Sequence, residues 1–243
     1  MFFVFYLHTC IFFRTFAAWK EWFNQKSKLG TMLEAFRKTH DYLVEHVQVP
    51  ARRVLQDEIN WSDRLIAIKG GRGVGKTDFL LNYAKEQREQ NPEDSKHTLY
   101  VNFNDFYFTE HSLMEFASQF VAAGGKTLLI DQAFKNPNWS RELSQCFYRY
   151  PELQIVFIAS SVMRLIEDNK DIGHIVHPYN LRGFSFREYL NVTLGLNLPV
   201  YSLEDILKNH VQIAQQICQR IKPLEYFQDY LHHGYYPLFL EPH

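Results

Sequence analysis

Eight consecutive residues carry the clearest chemical signal in this chain. Gly70-Gly71-Arg72-Gly73-Val74-Gly75-Lys76-Thr77 match the pattern G-x-x-x-x-G-K-[ST]. Each residue type has a role in holding a polyphosphate. Glycines let the backbone turn tightly, so that its N–H groups converge on phosphate oxygens. A helix starting at the end of the loop adds its positive N-terminal end at the same point. Lys76 reaches the β- and γ-phosphates, and the Thr77 hydroxyl is a ligand for Mg²⁺. By chance the pattern arises on the order of once in a hundred chains of this size. Its place between a β-rich run and a helical run weakens the accidental reading further. The loop from Gly70 to Asp78 is therefore assigned to the phosphates of a nucleotide. Asp78, in the first helical turn, suits the helix dipole but repels phosphate, and is expected to turn toward solvent.

A phosphate loop needs a carboxylate to complete the Mg²⁺ shell, usually at the end of a buried strand. Asp131 closes the run Thr127-Leu-Leu-Ile-Asp131 and lies 55 residues past Lys76. That interval holds a helix, a strand and a second helix, which suits a sheet with an inserted strand. Arg72, Arg164 and Arg182 are candidates to neutralise γ-phosphate charge as an arginine finger, in cis or from a neighbouring subunit, with Arg182 preferred. His174 and His177 have a metal-like spacing but no third ligand. No N-K-x-D follows the loop, so guanine specificity is not expected.

The elements that must position these groups alternate from residue 64 onward. Arg64–Lys69 and Thr98–Phe103 read as strands, Thr127–Asp131 as a third and Leu153–Ala159, apolar throughout, as one buried on both faces. Residues 175–181 give a fifth. Helical spacing covers residues 78–90, 113–123 and 139–150, the last carrying Trp139, Leu143 and Phe147 on one side. It returns at 203–221, where Ser202 and Asp205 are placed as a capping box. Strands alternating with helices predict an α/β fold with a parallel sheet covered on both faces.

Several segments together resemble the AAA-domain proteins related to archaeal ATPases, a prokaryotic P-loop family of the AAA+ superfamily. Leu129-Ile-Asp131-Gln132-Ala-Phe-Lys-Asn-Pro137-Asn-Trp139 is similar to that family's Walker B segment, which ends in Pro-x-Trp. Ile158-Ala-Ser160-Ser161 resembles its sensor strand, with serines near the γ-phosphate, and Leu181–Tyr189 its element after the last strand. The resemblance runs from about Met32 to the end of the chain. It implies a P-loop sheet in the order 5-1-4-3-2, a partial helical lid, ATP and Mg²⁺ as ligands, and Lys76, Asp131, Ser160 and Arg182 around the γ-phosphate. The chain departs from the pattern at Gln132, where the family usually has the glutamate that polarises the attacking water. An amide cannot accept the proton, although its carbonyl oxygen can orient water. Slow or conditional ATP hydrolysis is the expectation, and a non-hydrolysing ATP-dependent switch the alternative. Asp105, just past the second strand, is a stand-in base.

Composition bounds what remains. The 243 residues carry 26 Lys+Arg against 27 Asp+Glu, and 46% are hydrophobic. An ordinary globular balance argues against disorder, and near-zero charge removes the simplest sign of a nucleic-acid binder. Cys10, Cys146 and Cys218 form no disulfide framework, fit a reducing, cytoplasmic chain and are read as small buried hydrophobes. Met1–Phe13 is almost wholly apolar, yet shorter than the roughly 20 residues a spanning helix needs. Three readings of residues 1–31 stay open: a membrane-dipping anchor, a helix packed on the domain, or an extension outside the native chain with translation opening at Met32. The last is preferred, and membrane association is not expected. Residues 32–195 are read as the ATPase core and 196–243 as the start of a lid whose following domain is missing. That domain would carry any nucleic-acid contact. An unidentified protein partner and a homo-oligomer complete the expectations.

Overall fold

The structure is a computed structural model that describes residues 32–47, 52–160 and 166–237. Five strands form one parallel sheet: β1 (Leu65–Gly70), β2 (Thr98–Asn102), β3 (Thr127–Asp131), β4 (Gln154–Ser160) and β5 (His177–Asn180). Their spatial order is β2-β3-β4-β1-β5, which is the expected 5-1-4-3-2 arrangement. The α/β prediction and the strand order therefore agree with the structure.

The inner strands are apolar throughout because helices cover both faces. Along β1, Leu65 and Ala67 pack into one core cluster and Ile66 and Ile68 into the other, the period-two alternation of a strand. One face is covered by α6 (Leu113–Ala122) and α7 (Trp139–Arg149), the other by α3 (Lys76–Gln90). The first helix, α1 (residues 32–45), contributes Phe36 to one cluster and Val44 to the other, so it runs along the β2 edge. There its side chains satisfy the strand's open backbone. Arg37 Nη1 donates to Thr98 O at 2.7 Å, and Tyr100 N donates to His40 Nδ1 at 3.0 Å. Covering an edge strand in this way removes a template for unwanted pairing. A short helix α2 (Leu55–Glu58) precedes β1.

Three differences from the sequence reading have local causes. The segment at 91–95, read as a break, contains a single helical turn, α4 (Pro92–Ser95), with proline at its first position; α5 (Tyr107–Glu110) is a second such turn. The fifth strand is shorter than expected and largely exposed, as suits an edge where Pro178 has no N–H to offer. Residues 186–194 form α8 (Phe186–Leu194), capped by a reciprocal Ser185–Glu188 box. Beyond Gly195 the chain is helical, through α9 (Leu203–Arg220) and α10 (Pro223–Asp229) to a π-type turn at Tyr230–Gly234. The Ser202–Asp205 box caps α9 as expected. Phe184, Tyr189, Leu190 and Leu198 form a third small core against Ile217, Tyr226 and Tyr230.

Candidate functional site

The C-terminal ends of β1, β3 and β4 meet at one point, the usual place for a ligand on a parallel sheet. Gly70, the last residue of β1, is in register with Ser160, the last of β4. The loop that leaves Gly70 turns through Gly73 (φ 81°) and Gly75 (φ 84°) into the N-terminus of α3. Only glycine adopts that backbone without strain, which is why the spacing of the motif is what it is.

Lys76 folds across this loop. Its Nζ donates to Gly70 O at 3.0 Å and to Gly71 O at 2.7 Å. Burial pulls the Lys76 ammonium below its usual pKa, while the charge of Asp131 opposes that shift. The Thr77 hydroxyl donates to Asp131 Oδ2 at 2.7 Å. Asp131 is 2% exposed, and the Tyr100 hydroxyl donates to the same oxygen at 3.0 Å. Burial, then the neighbouring Asp131 carboxylate, push the Tyr100 phenol well above its ordinary pKa, so it remains a donor at any physiological pH.

A cleft of about 1120 Å³ opens beside these groups. Lys76, Thr77, Asp131, Gln132 and Ser160 all line it, so these five of the expected site residues share one space. Arg72 lines it from the loop. Val74 points its side chain into the core and is 3% exposed. Asp78 departs from its expected solvent orientation: it is half-buried and lines both this cleft and a pocket of about 10 Å³ beneath the loop.

Gln132 is the one residue other than glycine with positive φ among the described residues (φ 57°, ψ 31°). Left-handed backbone costs a non-glycine residue about 1 kcal/mol, and such strain concentrates at functional sites. The twist follows directly on Asp131 and opens the 3-10 turn Ala133–Lys135, whose last amide donates back to Gln132 O at 2.9 Å.

Other candidates fall elsewhere. Arg182 is exposed just past β5, outside the lining of the cleft, and its carbonyl accepts from Arg53. Asp105 accepts from Tyr107 N at 2.9 Å, while its neighbour Asn104 faces the cleft. His174 Nε2 lies 2.8 Å from the Tyr148 hydroxyl and His177 Nδ1 lies 3.4 Å from Asp63, with no metal-binding cluster of His, Cys, Asp or Glu among the described residues. Cys146 is buried as expected, its thiol pushed up to about 12 by that burial, whereas Cys218 is exposed on α9. Ser161, Arg164, Cys10 and residues 1–31 lie outside the described residues. No helix among the described residues is long and apolar enough to cross a membrane.

Two contributors were not singled out from sequence. Tyr100 holds Asp131, and its signal was a hydroxyl between the apolar Leu99 and Val101 at the centre of the second strand. Arg53, before α2, is buried and reaches the phosphate loop through Val74 O at 3.1 Å. Its only signal was its place in a basic pair.

A phosphate loop and a strand-end aspartate on a five-stranded parallel sheet of this order define an AAA-type P-loop NTPase fold. The AAA domain family matches residues 62–190, more than half of the chain, and this protein belongs to that family. Solved structures with a similar fold include DnaA from Aquifex aeolicus bound to AMPPCP, at 16% identity and TM-score 0.40, over 75% of this chain and 58% of that one. Hsp104 from S. cerevisiae in complex with casein follows at 12% identity and TM-score 0.47, over 79% and 38%. Aeropyrum pernix ORC1 in complex with DNA gives 13% identity and TM-score 0.41, over 74% and 54%. The chain thus spans well under two thirds of each of these proteins. No curated protein matches its sequence.

Proposed function

We propose that the protein binds ATP with Mg²⁺ at the Gly70–Asp78 loop and hydrolyses it slowly or conditionally. The observation that carries this reading is the Thr77–Asp131 contact at 2.7 Å, beside Lys76 and at the mouth of the cleft. A hydroxyl and a carboxylate at that spacing are the hard oxygen donors a small dication takes, with water and phosphate oxygens filling the remaining positions. Bound Mg²⁺ would neutralise charge on the β- and γ-phosphates. The loop amides and Lys76 bind the phosphates, and Lys76 exchanges its two carbonyl partners for phosphate oxygens. Ser160, beside Gly70, offers a hydroxyl to the γ-phosphate. Gln132 orients the attacking water through its amide carbonyl without taking its proton, which accounts for slow turnover.

Residues 32–195 act in this reading as the ATPase core, and the helices beyond Gly195 as a lid that moves with nucleotide state. Arg182, exposed at the sheet edge, fits a finger supplied to a neighbouring copy in a homo-oligomer. A partner protein is the object of the lid's motion. Gln132 also favours a second reading, a switch that binds ATP and signals without cleaving it.

Single-turnover hydrolysis of radiolabelled ATP with Mg²⁺ separates the two, using wild type, Gln132→Glu and Lys76→Ala. Turnover by wild type above the Lys76→Ala background supports the enzyme. ATP binding without cleavage by wild type, with activity gained in Gln132→Glu, supports the switch. Failure of wild type to bind ATP sinks both.

A further inference from the structure

We propose that Arg53 is a positioning residue that couples the phosphate loop to the lid. The inference rests on the ATP-binding reading and adds the route by which occupancy of the loop is transmitted. The Arg53 guanidinium uses three nitrogens on three separate segments. Nη1 donates to Val74 O in the phosphate loop at 3.1 Å, Nη2 to Arg182 O after β5 at 2.6 Å, and Nε to Glu188 Oε1 on α8 at 3.1 Å. The carbon of the same group lies 4.7 Å from the centre of the Phe184 ring. The Arg53 and Glu188 side chains are only 6% and 8% exposed, so this is an interior junction.

Glu188 anchors the far end firmly. Burial alone would raise its carboxyl pKa, but Arg53 and the amides of Ser185 and Val54 hold it below the usual value. Oε1 also accepts from Val54 N at 3.1 Å, and Oε2 from Ser185 N and Ser185 Oγ, each at 2.8 Å. The element carrying Phe184 in turn holds the segment Tyr235–Pro237. Phe184 N donates to Tyr235 O at 2.8 Å, and the Tyr230 hydroxyl donates to Phe184 O at 2.9 Å. This strap returns to the loop: Pro237 Cγ lies 3.2 Å from where a Cβ on Gly75 would stand.

A guanidinium is a rigid planar fork. Val74 sits between the two left-handed glycines of the loop, where the peptides are freest to reorient when phosphate arrives. Movement of Val74 O leaves two options. The Nη1 bond breaks and strands a buried charged donor, which is costly. Otherwise the plate moves as a unit and carries Arg182, Glu188 and Phe184 with it. Lysine can keep the charge opposite Glu188 but cannot hold three acceptors around one rigid plane.

The test uses the full chain. ATP binding with Mg²⁺ is measured by calorimetry, and backbone hydrogen exchange is followed at 183–194 and 234–237 with and without nucleotide. In wild type, ATP is expected to change exchange in both segments by about threefold or more. Arg53→Lys is expected to retain ATP binding while that change falls below about a third of the wild-type value. An undiminished response in Arg53→Lys overturns the coupling, and so does a wild type that binds ATP with both segments unaffected. If Arg53→Lys does not fold, Glu188→Gln replaces it, with the same two outcomes. A wild type that binds no ATP removes the function reading itself, and the coupling with it.

Discussion

The Tyr100 hydroxyl and the Thr77 hydroxyl converge on one oxygen of Asp131, Oδ2, at 3.0 and 2.7 Å. Tyr100 approaches from the neighbouring strand β2, and the same residue's backbone N–H is held by His40 of α1. The carboxylate is thus held from the neighbouring strand as well as from the phosphate loop, and Tyr100 orients it. Tyr100→Phe removes that donor while keeping the ring's bulk. We expect the apparent Mg²⁺ affinity of the ATP complex to fall about ten- to a hundredfold, in the range for removing one hydrogen bond to a charged group. ATP binding without Mg²⁺ should stay near wild type. A Mg²⁺ titration of ATP binding checks this, and an equal loss with and without the metal would contradict it.

Gln132 provides a test in which stability and chemistry move apart. Its left-handed backbone, φ 57°, is strained for a glutamine. Gln132→Gly relieves that strain, partly offset by the greater freedom of the unfolded chain. The expected net effect on stability is between zero and about 1 kcal/mol in favour of the variant. Any hydrolysis that depends on the amide should disappear. Thermal unfolding and single-turnover hydrolysis on one preparation measure both. A clear loss of stability would show that the Gln132 side chain holds the turn rather than serving the cleft.

Much of this was legible in the sequence because it rests on local rules. The apolar run of β4 reads as a strand buried on both faces and the shorter runs of β1 and β3 as strands. The glycines at 73 and 75 let the loop turn through positive φ. Asp131 closes its run and arrives beside Thr77 as expected. What stayed hidden depends on which way a side chain turns in three dimensions. Arg52 and Arg53 are adjacent and chemically identical, yet Arg52 pairs with Asp57 and Glu86 at the surface while Arg53 is buried against Glu188, 135 residues away. Asp105 and Asn104 divide in the same way: the acid accepts from a local turn and the amide faces the cleft. The helix α8 was missed although its capping pair, Ser185 and Glu188, is written in the sequence.

Gly183 tests the strap independently of Arg53. A Cβ at this position would fall inside the van der Waals shells of the Tyr235 carbonyl and ring. Gly183→Ala therefore has to push away the segment whose carbonyl accepts from Phe184 N. A loss of about 1–3 kcal/mol is expected, typical of forced overpacking. Limited proteolysis should show faster cleavage around 230–237, while the sheet retains its circular dichroism. Unaltered cleavage would mean that the strap accommodates the methyl group without moving.

His40 gives the fold a predictable response to acid. Its ring is 3% exposed and accepts from Tyr100 N, so it must be neutral on that nitrogen in the folded state. Burial, with Arg37 adding to it, lowers its pKa from 6.5 to about 4. The unfolded chain takes up a proton near pH 6.5, whereas the folded chain resists it until about pH 4. Stability from this residue is therefore fully present above the unfolded value and is lost as pH falls through the interval between the two. A shift of this size corresponds to a loss on the order of 3 kcal/mol across the interval. Denaturant midpoints measured between pH 7 and pH 4 should fall steadily in wild type. His40→Gln, which keeps an acceptor but cannot titrate, should start lower and lose that much less over the same range. Parallel curves for the two proteins would place the acid sensitivity elsewhere and leave His40 as packing alone.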